Sequence, residues 1–173
     1  MAIVAKAGAS FEVCPAGSYS AVCCDIVDLG LVEITYSGRV RKQHKVRVIW
    51  QVDEKNSGGN RFQVSKRYTL SLHEKAALRK DLESWRGVPF SEEQLSGWDI
   101  EAVLNIPCMV SIVQNAANGN VYANVTAIMR LPKGMTALTV DPSYVRVQDR
   151  PTEDDAQTPH DGEWQASDND VPF

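Results

Sequence analysis

Hydrophobic and polar positions alternate through much of the first seventy residues. Ala21, Cys23, Asp25 and Val27 alternate with Val22, Cys24, Ile26 and Asp28, the period of two expected of a strand. Gly30 interrupts this run before it resumes from Leu31 to Tyr36. A glycine inside a strand pattern suggests a bulge or a sharp coil. Residues 1–18 are small, glycine-containing and weakly patterned, a loose arm that adds at most a short edge strand. From Lys45 to Val52, one face carries Val46, Val48, Trp50 and Val52, and the other Arg47, Ile49 and Gln51. Asp53 to Asn60 (DEKNSGGN) is turn-forming by composition. Arg61 to Leu70 returns as a strand, with Phe62, Val64 and Tyr68 opposite Gln63, Ser65, Arg67 and Thr69.

The period then changes. Ser71-Leu72-His73-Glu74 reads as a capping box and predicts a helix from about Leu72 to Trp85, with Ala76, Leu78, Leu82 and Trp85 on its apolar side. Gly87 ends it and Pro89 prevents its resumption. Ser91-Glu92-Glu93-Gln94 is a second capping box opening a short helix, and Asp99 to Leu104 predicts a further helical turn. Cys108 to Gln114 is a strand. Asn115 to Asn120 is a hairpin turn in which Asn118-Gly119 supplies the positive φ angles. Val121 to Met129 is the return strand, with Val121, Ala123, Val125 and Ala127 expected inward. Pro132-Lys133-Gly134 breaks it, and Thr139 to Val147 is a candidate for one more strand. No periodicity follows Asp149, so residues 149–173 are expected to be a disordered tail.

Three strands, a helical segment and a two-strand hairpin give the order β-β-β-α-β-β. The fold class expected is mainly β: an OB-fold, the five-stranded Greek-key barrel, with a helical insertion between strands 3 and 4. Residues 1–148 would form this domain and 149–173 an acidic tail. The helical segment is longer than a minimal barrel requires. It could cap the barrel or form a contact between copies of the chain, which leaves a homo-oligomer open.

Charge sharpens the picture. Residues 149–173 hold eight acidic residues against Arg150, a net charge of −7, while residues 1–148 carry +3. A basic body with an acidic tail suits nucleic-acid machinery. No apolar run approaches the roughly 18 to 20 residues that span a membrane, and residues 1–10 lack the apolar core of a secretory signal; a cytoplasmic protein without membrane contact is expected. Cys14, Cys23, Cys24 and Cys108 form no C-x-x-C pair, and His44, His73 and His160 are scattered. Reduced, mostly buried thiols are expected, with no metal and no cofactor. No carboxylate motif or nucleophile–base set points to an enzyme.

The candidate chemistry lies between Arg39 and Arg67, where nine bases face only Asp53 and Glu54. On an OB-fold this stretch covers the loop between strands 1 and 2 and then strands 2 and 3, which bind oligonucleotides. Arg39, Arg41, Lys42, Lys45, Arg47, Lys66 and Arg67 are the candidate phosphate contacts; the competing reading is an ordinary solvated sheet face. Single-strand binders stack bases on aromatic rings. Tyr36, at the mouth of the basic loop, and Tyr122, beside the second hairpin turn, are the candidate platforms. Phe62 borders the loop but sits beside Val64, so packing competes with stacking there.

The chain ends Ser167-Asp168-Asn169-Asp170-Val171-Pro172-Phe173. This resembles the acidic tip of bacterial single-stranded DNA-binding proteins, which ends in several acids, an aliphatic residue, Pro and Phe. Leu78 to Phe90 (LRKDLESWRGVPF) and Cys108 to Gly134 are similar to phage- and prophage-encoded members of that family. Asn169 between the acids, and Val171 where Ile is usual, are mild departures. The resemblance implies an OB-fold protein of the bacterial host cytoplasm. It would bind and protect single-stranded DNA, with little sequence preference, during phage DNA replication and recombination. Asp168, Asp170, Val171, Pro172 and Phe173 would recruit replication, recombination or repair proteins. The alternative is a protein-interaction adaptor that mimics such a tail without binding DNA.

Overall fold

The computed structural model describes residues 12–151. Its elements are β1 (Gly17–Tyr36), β2 (Arg39–Lys55), β3 (Arg61–Thr69), α1 (Ala77–Arg86), α2 (Glu92–Ser96), a 3-10 turn at Ile100–Val103, β4 (Pro107–Ala117), β5 (Asn120–Met129) and a second 3-10 turn at Val147–Asp149. The protein is mainly β. Five antiparallel strands form one sheet in the order β3-β2-β1-β4-β5, with the helical segment inserted between β3 and β4. β1 takes the centre because it pairs on both edges, with β2 along most of its length and with β4 from Gly17 to Val22. The outer strands β3 and β5 approach each other, although no ladder joins them.

Two tight turns set the hairpins. Ser37 (φ 50°) and Gly38 (φ 75°) join β1 to β2, and Asn118 (φ 51°) and Gly119 (φ 78°) join β4 to β5. Positive φ at both central positions gives a turn whose twist matches the flanking strands. Arg39 to His44, expected as loop, is therefore strand. It pairs with Leu31 to Tyr36 to make a two-stranded ribbon projecting beyond the rest of the sheet.

The core lies between the inward sheet face and the helical segment. β2 contributes Val46, Val48, Trp50 and Val52, β3 Val64 and Tyr68, α1 Leu78, Leu82 and Trp85, and β4 Cys108, Val110 and Ile112. Trp50 is fully buried and packs against Trp85, with ring centroids 6.0 Å apart. Bulges shift the phase of the alternation. In β1 the register slips between Cys23 and Asp25 and again between Asp28 and Gly30, so Ile26 joins the core after Ala21 and Cys23. In β5 it slips between Ala127 and Val125. Ile128 is consequently buried and Ala127 only half-buried, while Val125 is buried as expected; Val121, expected inward and in the same phase as Val125, is exposed near the hairpin turn.

Two further expectations are corrected. The helix begins at Ala77 and not Leu72, because the Ser71 hydroxyl accepts the His73 N–H two residues on (3.1 Å) and closes a local turn. The second capping box does form, between Ser91 and Gln94. Residues 139–147 are not a strand: they cross the outward face of β1 and β2, both of which are already paired on each side. Side chains hold this strap in place of a ladder. Gln51 Oε1 accepts the Asp141 N–H (2.9 Å). Asp25, 1% exposed, accepts from Tyr144 Oη (3.0 Å), Arg146 Nε (3.0 Å) and the Val147 N–H (2.7 Å).

Candidate nucleic-acid interface

Residues directly opposite each other in an antiparallel pair project from the same face, so the register sorts the basic stretch. Tyr36 faces Arg39, Ile34 faces Arg41, Val32 faces Gln43, and Gly30 faces Lys45. The same side continues into the sheet, where Arg47 is opposite Arg67. This is the outward face, since Val46, Val48 and Trp50 point into the core. From Arg39 to Arg47 it extends about 26 Å at ~3.3 Å per residue. Tyr36 stands at its tip, 73% exposed.

None of Arg39, Arg41, Lys45, Arg47 and Arg67 forms an ion pair among the described residues. Lys45 Nζ donates to Thr69 Oγ1 (2.7 Å). Like charges directly across a ladder destabilise it, so the Arg47–Arg67 pair is a charged surface without a counter-charge. A polyanion laid along it would supply one.

The register separates the remaining candidates. Lys42 lies on the other side of the ribbon, opposite Glu33. Phe62 is half-buried and packs against the core. Lys66 shares the inward phase of Val64 and Tyr68. Its Nζ is 2.8 Å from Asp81 Oδ2 and 5.1 Å from the centre of the Tyr68 ring. Tyr68 donates to the same carboxylate oxygen (2.6 Å); burial first, and that acidic partner second, push its phenol well above the usual range. Even so, Ser65, Lys66 and Arg67 form one wall of a groove of about 470 Å³ whose other wall is Tyr122, Ala123, Asn124 and Val125. Tyr122, 49% exposed, is thereby brought beside Arg67.

Asn124 and Gln43, polar residues on these surfaces, and Ile34 between the bases were missed by sequence reasoning. Extending the period of two back through residues 39–45 would have found Gln43, had that segment been read as strand; Ile34 comes among the bases only through its register with Arg41.

The four cysteines are free and buried. Burial pushes the thiols up, to about 11 for Cys14 and Cys24 and about 12 for Cys108, and raises Cys23 as well. They are protonated near neutrality and are poor nucleophiles. Among the described residues no group of three or more His, Cys, Asp or Glu side chains could hold a metal ion, and no helix is long and apolar enough to cross a membrane. Asp168, Asp170, Val171, Pro172 and Phe173 lie outside the described residues. No protein-family model matches the chain, and no curated protein shows significant similarity to it.

Proposed function

We propose that the sheet is an OB-fold barrel that binds single-stranded DNA across its outward face, with little sequence preference, and that it serves phage DNA replication or recombination. The observation that carries this reading is the continuous outward face without counter-charges: Arg39, Arg41, Lys45, Arg47 and Arg67 lie along it, with Tyr36 at one end and the Tyr122 groove beside Arg67. Phosphates would neutralise the arginines and release counterions, while bases stack on the two exposed tyrosines. The strand order, with β1 central and β3 near β5, supports the OB-fold assignment. The tail tip would recruit replication, recombination or repair proteins.

The test is binding of labelled oligo-dT to the full chain across a salt series. Affinity should fall with salt at a log–log slope of about −0.7 per phosphate contacted. Absence of salt-dependent binding would reject this reading in favour of the adaptor. One feature favours that second reading: the opposite ribbon side exposes Leu31 (69%) and Val40 (63%), apolar surface suited to a protein partner.

A further inference from the structure

Past Arg67, the outward side of β3 continues through Ser65 and Gln63 to Arg61, about 20 Å on at ~3.3 Å per residue. There it meets the strap, and the two enclose a cleft of about 460 Å³ lined by Asn60, Arg61, Gln63, Tyr144 and Arg150, with Asp141 on its wall. Arg150 donates through Nε to Val145 O (3.0 Å), and its guanidinium lies 5.5 Å from the centre of the Tyr144 ring. It has no carboxylate partner among the described residues. Arg61 is committed to the strap through Thr139 O. The Asn60 and Gln63 side chains are exposed. Asp141 Oδ1 accepts the N–H and hydroxyl of Ser143 (2.9 and 2.7 Å), and its Oδ2 has no hydrogen-bond donor among the described residues.

This mixture selects among ligands. A bare anion would meet the arginines but be repelled by Asp141. An apolar ligand would give no partner to the exposed Asn60 and Gln63 amides or to the remaining donors of Arg150. A nucleotide has a phosphate for a guanidinium, and a base whose edge carries donors and acceptors for two amides and a carboxylate.

We propose that this cleft is a nucleotide subsite, resting on the reading of the outward face as a single-stranded DNA interface. The strand continues from Arg67 along β3 into the cleft, sets a phosphate at Arg150 and turns a base edge toward Gln63, Asn60 and Asp141. An ionised carboxylate only accepts hydrogen bonds. Asp141 therefore favours cytosine, whose exocyclic amine donates, over thymine, which carries a carbonyl oxygen at that position and keeps only its N3–H, flanked by two oxygens, as a donor. The result is a mild base preference superimposed on otherwise sequence-tolerant binding.

The test uses the full chain with labelled oligo-dC and oligo-dT across a salt series, comparing the native protein with Arg150→Ala and Asp141→Asn. Both substitutions fall on the cleft surface and leave the core untouched; circular dichroism checks the fold. Native protein should prefer oligo-dC by about tenfold, the scale of one hydrogen bond to a charged group. Asp141→Asn should erase that preference, and Arg150→Ala should reduce the magnitude of the salt slope by about 0.7. Salt-dependent binding with no dC preference, or with slope and preference unmoved by the substitutions, overturns the subsite and leaves the main interface standing. No binding of either oligonucleotide by native protein overturns the interface itself.

Discussion

Asp25 shows how one side chain can fix a long stretch of chain. Burial alone would raise its carboxyl, but hydrogen bonds from the Val147 N–H, Arg146, Tyr144 and the Ile26 N–H outweigh burial and hold it below its ordinary value of 3.8. A depressed carboxyl contributes stability that is fully present above the unfolded-state value and is lost as pH falls through the lower folded-state value. Anchoring of the strap should thus persist at neutral pH and fail only below about pH 3.8. Asp25→Ala leaves Arg146 and Tyr144 without their buried partner and should cost about 3 kcal/mol, read by urea denaturation. The register also makes a sharp comparison between neighbours. Arg41→Ala should lower the magnitude of the DNA salt slope by about 0.7, whereas Lys42→Ala, on the far side opposite Glu33, should leave it unchanged. Tyr36→Ala and Tyr122→Ala should each weaken oligo-dT binding by about 1–3 kcal/mol, measured by fluorescence titration.

Among the elements, the ribbon depends on a single glycine. Gly38 has φ 75° with nothing near the position of a Cβ, so Gly38→Ala meets backbone strain and no clash. It should destabilise the ribbon by about 1 kcal/mol, visible as faster hydrogen exchange of the Leu31 to His44 amides while core amides are unchanged. The ribbon also marks how far the sequence could be read. Strong alternation in Lys45–Val52 and Arg61–Thr69, and the Asn118-Gly119 pair, made strands and hairpin legible. Arg39 to His44 was not, because five polar or charged residues and an exposed Val40 in a projecting ribbon have no buried side to alternate against. The β5 bulge falls beside Thr126, with no glycine to announce it, so the inward set was misjudged. The strap was illegible for a different reason. Its partners are side chains distant in sequence, such as Asp25 and Gln51, and no local period encodes such contacts.

For the whole molecule the decisive quantity is the distribution of charge. The basic face was legible as composition, but only the register divided it into two sides and left Lys42 apart from Arg41. The acidic segment beyond Pro151 follows Arg150, which lies just past the strap and lines the cleft beside β3. If that segment competes with DNA for the basic face, removing residues 152–173 while keeping Arg150 should tighten oligo-dT binding at low salt and have little effect at high salt. Equal affinities at low salt would refute the competition.

The Arg47–Arg67 pair has a thermal consequence as well as a binding one. Opposed like charges weaken a ladder by roughly 0.2–1 kcal/mol, and salt screens them. Moderate salt should therefore raise the melting temperature by a degree or so, in the same range where it should weaken the proposed DNA binding. Arg67→Gln should melt about 1–3 °C higher by calorimetry while binding DNA more weakly. If the face binds DNA as proposed, heat resistance and affinity are opposed in this sheet, and the residue that trades one against the other is Arg67.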